Sequence, residues 1–140
     1  NRSHYEDVLI QRVHKWVDEK TIKQRFTQIN HFEKLLQETG TTILKFYLHV
    51  SKEEQLIRLN ERLNDKTKMW KHNEDDLKER EFWSDYMKTY EDVLENCCSS
   101  AEWNIIPSDQ NWYKEDLIAT KVVTTLESLK MKFPGLKTTK

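Results

Sequence analysis

An α/β fold, mostly helical around a small parallel sheet, is predicted by three observations. Residues 43–50 form a run too apolar for a sheet edge, the pattern of a strand buried on both faces. Ser51 and Glu54 follow at once as an S-x-x-E capping box, so a helix is expected to start from the strand's carboxyl end. A helical period precedes this strand, and a second short strand at residues 103–106 comes later. Helix, strand and strand-to-helix crossover in that order is the rhythm of α/β folds.

Each element has its own signal. Ser3, with Glu6 three residues on, reads as an N-cap, and Tyr5, Val8, Leu9 and Val13 continue a short helix. From 18 to 39, Ile22, Phe26, Ile29, Phe32 and Leu36 recur every three or four positions, and Gly40 stands where a left-handed cap belongs. After the capping box, Leu56, Leu59 and Leu63 make one stripe of a helix, and Arg58 and Arg62, at i and i+4, lie together on another. A basic turn leads to Asn73, the expected cap of a longer helix from about 74 to 97. That helix carries Leu77, Trp83, Tyr86, Tyr90 and Leu94 on one face, an aromatic stripe expected to be core. Pro107 ends the second strand, and Ser108-Asp109-Gln110-Asn111 is a polar turn. The last helix, roughly 112–133, is expected to bury Ile118, Val122, Leu126 and Leu129, with Pro134-Gly135 stopping it.

Composition narrows the function. The 140 residues are 36% apolar and 34% charged with a net charge of −1, enough for one unit with one modest core. No global field favours nucleic acid or a membrane surface, so any anion site must be local. There is no leader-like segment and no run of about 18 apolar residues, and the chain is expected to be soluble and cytoplasmic. Cys97 and Cys98 are adjacent and lack partners at zinc spacing, so they are expected to be two reduced thiols near a helix end, and no metal ligands are assigned. Gly40 and Gly135 are the only glycines. A glycine-rich loop that cradles phosphate with its backbone N–H groups is therefore absent from these residues.

The basic turn is the strongest chemical signal. Between Arg58 and His72, Arg58, Arg62, Lys66, Lys68 and Lys71 face only Glu61 and Asp65, a local charge of +3. Phosphoryl transfer relies on cations placed around the migrating group, and a cation-bearing lid is one way to close over phosphates. A solvated basic turn is the ordinary alternative. Arg80, flanked by Glu79 and Glu81, also reads from charge alone as a solvated helical pair. His4, His14, His31, His49 and His72 are scattered with no nucleophile near them, and no catalytic or metal role is assigned to them.

An ordered series of segments carries a resemblance. It runs through Asn1-Arg2-Ser3-His4-Tyr5-Glu6-Asp7, Gln28-Ile29-Asn30-His31-Phe32-Glu33, Gly40-Thr41-Thr42-Ile43-Leu44-Lys45-Phe46 and Ser51-Lys52-Glu53-Glu54-Gln55. It continues with Trp70-Lys71, Glu79-Arg80 with Trp83 and Tyr86, and Ile106-Pro107-Ser108-Asp109. Over essentially the whole chain this resembles the second family of polyphosphate kinases, P-loop-type phosphotransferases that use Mg²⁺ to move phosphate between inorganic polyphosphate and a nucleotide. The resemblance implies a truncated P-loop-kinase-like three-layer fold and a homo-oligomer. Residues 1–140 would be one unit, the C-terminal half to two-thirds of a kinase domain without its phosphate cradle, with a lid module at about 65–98.

By the same resemblance, Asn1-Arg2-Ser3 matches the Walker B segment. Arg2 and Arg80 would then be catalytic cations, and Arg58, Arg62, Lys68 and Lys71 would bind phosphate. Asn1 stands where many members have Asp, so no metal ligand follows from it. Lys66 and Thr67 stand where a proline and an acidic residue are common. The implied partners are polyphosphate and ADP/AMP or GDP/GMP. Two alternatives stay open: a fragment of another P-loop nucleotide kinase, and a non-catalytic helical interaction module.

Overall fold

The computed structural model describes residues 3–135. Its elements are a 3₁₀ turn at His4–Asp7, α1 (Ile10–Val13), α2 (Glu19–Glu38), β1 (Lys45–His49), α3 (Lys52–Asn64), a 3₁₀ turn at Met69–Lys71, α4 (Asp75–Glu79), a 3₁₀ turn at Arg80–Phe82, α5 (Trp83–Asn96), β2 (Trp103–Pro107) and α6 (Asn111–Ser128). The two strands pair in parallel, with Lys45 opposite Trp103 and His49 opposite Pro107. The chain is thus mostly helical around a small parallel sheet, as expected. A parallel pair places both carboxyl ends on the same side, and α3 and α6 leave from that side.

The long second helix follows its signals closely. The Asp18 carboxylate caps it by accepting the Thr21 N–H at 2.8 Å. At the other end Gly40 takes φ of +88°. There the Gly40 N–H donates to Gln37 O and the Thr41 N–H to Leu36 O, each at 2.9 Å. These are the two bonds of a Schellman motif, which satisfies carbonyls the helix leaves open. The buried positions are Ile22, Phe26, Ile29 and Glu33, an i, i+4, i+7, i+11 stripe. Phe32, expected inside, is 47% exposed. The helical angle decides this: Glu33, not Phe32, continues the line of Ile29.

The core gathers Tyr5, Val8, Leu9, Ile22, Phe26, Ile29, Val93 and Cys97, with Val17, Tyr90 and Trp103 packed around it. It lies between α2, the amino-terminal turns and α5, on the face of the sheet that bears Lys45 and Trp103. Four expectations change here. The run at 43–50 is not buried on both faces: Leu48 is 46% exposed, and Ile105 of β2, on the opposite face, 60%. Two strands cannot cover both faces of each other, and no further strand flanks them among the described residues.

The last helix buries none of its residues, and Leu126 and Leu129 are about half exposed. It ends at Ser128, before Pro134-Gly135, with Lys130 at φ +48°. α3, whose leucine stripe carries no burial expectation, has no buried residue, Leu56 and Leu63 being exposed. Finally, the single helix expected over 74–97 is broken into α4, a 3₁₀ turn and α5. Its aromatic stripe is half-buried with Leu77 exposed, and the core positions of α5 are instead Thr89 and Val93. Cys97, just past the end of α5, is buried and Cys98 exposed, both as free thiols.

Candidate active site

The carboxyl end of β1 feeds α3 through Ser51. The Ser51 hydroxyl accepts the Glu54 N–H at 3.1 Å, half of the expected capping box. The other half is taken over: Ser51 N donates to the Asp109 carboxylate at 2.8 Å, and the Glu54 carboxylate accepts from Arg58 Nε at 2.8 Å. A residue beyond β2 thus caps the helix that follows β1. The backbone N–H of Ser51 holds the Asp109 carboxyl below its ordinary range. Arg58 reinforces the clamp, its Nη2 donating to Ser108 O at 2.7 Å and Asp109 O at 3.0 Å. Arg58, expected to bind phosphate, is therefore also a tie between the two strand ends.

An open cleft of about 430 Å³ lies beside this clamp. The end of β1 (Tyr47, Leu48) forms its floor, and Gln55, Arg58 and Arg62 of α3 form one wall. Asp76 and Glu79 of α4, with Trp83, Met87 and Tyr90 of α5, form the other. Ligands of open α/β sheets bind beyond the carboxyl ends of the strands, which is where this cleft sits. Trp83 and Tyr90, expected as core, line it instead. Tyr47 and Tyr90 rings meet at 4.8 Å, and burial pushes the Tyr47 hydroxyl up to about 12, so it stays a donor at neutral pH.

The predicted cations separate into two groups. Arg58 and Arg62 face the cleft together. Arg80 sits beside it, its Nη1 donating to Gln55 Oε1 at 2.7 Å and Lys52 O at 2.9 Å. Lys68 and Lys71 do not line the cleft. Lys68 pairs with Glu61 at 2.9 Å and Asp65 at 3.8 Å, and the Glu61 hydrogen bond raises its pKa. The Lys71 ammonium lies 5.0 Å from the centre of the Trp70 ring. Arg2 lies outside the described residues.

The local surplus of +3 does not survive folding at the cleft. Asp76 and Glu79, outside the counted segment, add two carboxylates to the lining of the cleft that Arg58 and Arg62 share, and Arg62 Nη1 donates to Asp76 at 2.8 Å. An incoming anion has to compete with Asp76 for Arg62.

Sequence reasoning missed two polar clusters. In the first, Glu33 and Lys45 pair at 2.9 Å with side chains 2% and 4% exposed. Tyr5 OH and Ser100 Oγ also donate to Glu33, and Lys45 Nζ donates to Cys97 O at 2.6 Å. Burial pushes the Glu33 carboxyl up, but the hydrogen bonds from Ser100, Tyr5 and Lys45 outweigh it and hold it low. The signal was available in the helical line 22–26–29–33. The second cluster joins His14, Glu79 and Tyr86, residues 65 positions apart at the extremes of one contact, and no local pattern announces it.

Among the described residues no three His, Cys, Asp or Glu side chains come together in a way that could hold a metal ion. The donor set of the described residues does not form a Mg²⁺ cage. That ion typically uses one or two carboxylates plus substrate phosphates, and no step is assigned to it here.

The profile of the family Polyphosphate kinase 2 (PPK2) matches residues 1–134. A Meiothermus ruber protein named AMP/ADP-polyphosphate phosphotransferase is 45% identical over 139 residues, 99% of this chain and 52% of that protein. The Rhodopseudomonas palustris ADP-polyphosphate phosphotransferase is 36% identical, over 96% of this chain and 51% of that protein. The crystal structure of polyphosphate kinase 2 from Arthrobacter aurescens TC1 superposes with a TM-score of 0.93 at 40% identity, covering 99% of this chain and 49% of that one. The chain spans about half the length of these relatives. Matched over nearly all its residues in sequence and in backbone, it belongs to the polyphosphate kinase 2 family.

Proposed function

We propose that this chain is the phosphate-gathering and lid-bearing part of an enzyme that moves phosphate between inorganic polyphosphate and a nucleotide, AMP/ADP or GDP/GMP. The observation that carries this reading is the pair Arg58 and Arg62, facing one cleft at the carboxyl end of β1 beneath α4 and α5. Family membership supports it, as do the printed names of the Meiothermus ruber and Rhodopseudomonas palustris relatives. In the whole enzyme an oxygen of the nucleotide's terminal phosphate attacks the terminal phosphorus of polyphosphate in line. One P–O bond forms, the bridging P–O bond breaks, and polyphosphate leaves one unit shorter without a covalent enzyme intermediate.

Arg62 and Arg58 hold the phosphate chain, and Arg80 with Arg2 stabilises the charge of the migrating group. Residues 65–98 form the lid, whose Lys68 and Lys71 reach the phosphates when it closes. Mg²⁺, when bound, would supply charge neutralisation at the substrate phosphates, which would themselves provide most of its ligands. The working enzyme is a cytoplasmic homo-oligomer, in which a second copy covers part of the apolar surface left bare at Leu48 and Ile105.

By itself this 140-residue chain binds phosphate without turning it over. Its two glycines form no phosphate cradle, and in-line transfer depends on such positioning. The test is titration of the purified chain with tripolyphosphate at low and high salt, alongside a coupled assay of nucleotide formation. Binding that weakens with salt and with Arg62→Ala, and no turnover, is expected. Binding indifferent to both Arg62→Ala and Arg80→Ala overturns the reading in favour of an interaction module.

A further inference from the structure

Between α4 and α5 the chain changes helical type for three residues, Arg80–Phe82, before resuming. Neither of the usual causes is present, since the only prolines are Pro107 and Pro134 and the only glycines Gly40 and Gly135. A 3₁₀ stretch inside a helical run often marks a hinge. Here two side chains on either side of the junction are held by different parts of the molecule. Arg80 is drawn to the start of α3 through Lys52 O and Gln55. Glu79 is drawn the other way, to the amino-terminal segment. Its carboxylate meets His14 Nε2 at 2.9 and 3.2 Å, and it accepts the Tyr86 O–H at 3.0 Å from across the break.

Two aromatic side chains flank the His14 ring. Trp16 stacks on it at 5.0 Å with the planes 19° apart, and Phe82 of the 3₁₀ turn meets it at 5.0 Å and 59°. Aromatic faces attract an imidazolium as well as an imidazole edge. The remaining charges nearby are engaged elsewhere or sit on the far side of the segment. Arg12 pairs with Glu19 and Asp92, while Lys15, Asp85 and Lys88 line a separate groove beside Val13. Tyr86 keeps its proton, because burial and the Glu79 carboxylate both push its pKa up. It therefore remains a constant donor.

We propose that Glu79, gripped by His14 and Tyr86, is the positioning residue of the lid hinge: it sets the turn from which Arg80 projects, and His14 makes its grip depend on pH. Protonation of His14 turns a neutral hydrogen bond into a charge-assisted one. The turn is then held more firmly with the ring protonated than with it neutral. The part assigned to Arg80 rests on the phosphate reading above, whereas the latch itself does not.

The test is hydrogen–deuterium exchange of the intact chain at about pH 5.5 and about pH 8, expressed as protection relative to the intrinsic rate. In the wild type, amides 79–83 are expected to be about fivefold more protected at the lower pH, with no matching change along α2. His14→Gln and Glu79→Gln should each remove that difference. Tyr86→Phe should lower protection at both pH values and keep the difference. His4 is a second histidine close to a carboxylate, 3.4 Å from Glu33, and His4→Gln should leave the hinge difference intact. A hinge difference that persists in His14→Gln, or that spreads equally over α2, overturns the latch. Tripolyphosphate binding indifferent to both Arg62→Ala and Arg80→Ala overturns the phosphate reading, while the exchange measurement still decides the latch.

Discussion

Glu33–Lys45 and Arg62–Asp76 are both carboxylate–cation pairs, yet the first has side chains 2% and 4% exposed and the second 35% and 34%. The first is closed on all sides: Tyr5, Ser100 and Cys97 O complete its hydrogen bonds, and the Trp103 ring lies 5.1 Å from the ammonium. It ties α2 to β1 and to the end of α5. The second spans the cleft from α3 to α4 with water on one side. A buried pair with every valence satisfied fixes a structure, because losing either partner strands a charge. A half-exposed pair contributes little to stability and can be exchanged for a ligand's charge. The molecule thus keeps its rigid electrostatics away from the cleft and its exchangeable electrostatics within it.

The largest effect expected from this contrast is on stability. Lys45→Met leaves the Glu33 carboxylate buried without its cation, and about 3–5 kcal/mol should be lost in urea unfolding. Arg62→Ala should cost no more than about 1 kcal/mol. Similar losses for both would erase the distinction between the two regions.

Acid sharpens it next. The Glu33 carboxyl is held low in the folded chain, so its stabilisation is complete above the unfolded carboxylate range, about pH 4.3. It is lost as pH falls from there through the depressed folded value. One such group adds at most about 1.4 kcal/mol per pH unit to the slope. Glu33→Gln should remove that increment from the acid limb of a pH-dependent unfolding series, and an unchanged limb would place the acid sensitivity elsewhere.

The smallest effect concerns the cleft. Asp76→Asn frees Arg62 from its competitor and should tighten tripolyphosphate binding about two- to fivefold at low salt, within the range of exposed ion pairs. Unchanged or weaker binding by calorimetry would mean that Asp76 does not compete for the anion.

Local patterns predicted much of the fold correctly. The Gly40 terminus, the start of the second strand at Trp103 and the Ser51 cap all depend on residues within a few positions of each other, so sequence alone is enough to locate them. The parallel pairing followed from the crossover rhythm. The failures share one cause. Periodicity says which residues share a face, not whether anything covers that face. So the pattern of α6 predicts a buried face that nothing among the described residues fully covers, and the aromatic stripe of α5 predicts core where Trp83 and Tyr90 wall a cleft.

At the candidate site, sequence placed Arg58 and Arg62 on one side of one helix, because their spacing is a property of the helix itself. Only the tertiary structure brought Asp76 and Glu79 opposite them and turned a +3 segment into a balanced cleft. It also linked Ser51 to Asp109, His14 to Glu79, and Lys45 to Glu33 and Cys97. Contacts between residues 12 to 65 positions apart leave no mark in a local pattern. They exist because the two-stranded sheet and the long second helix bring those backbones together, and a buried charge then has to find whatever partner is within reach.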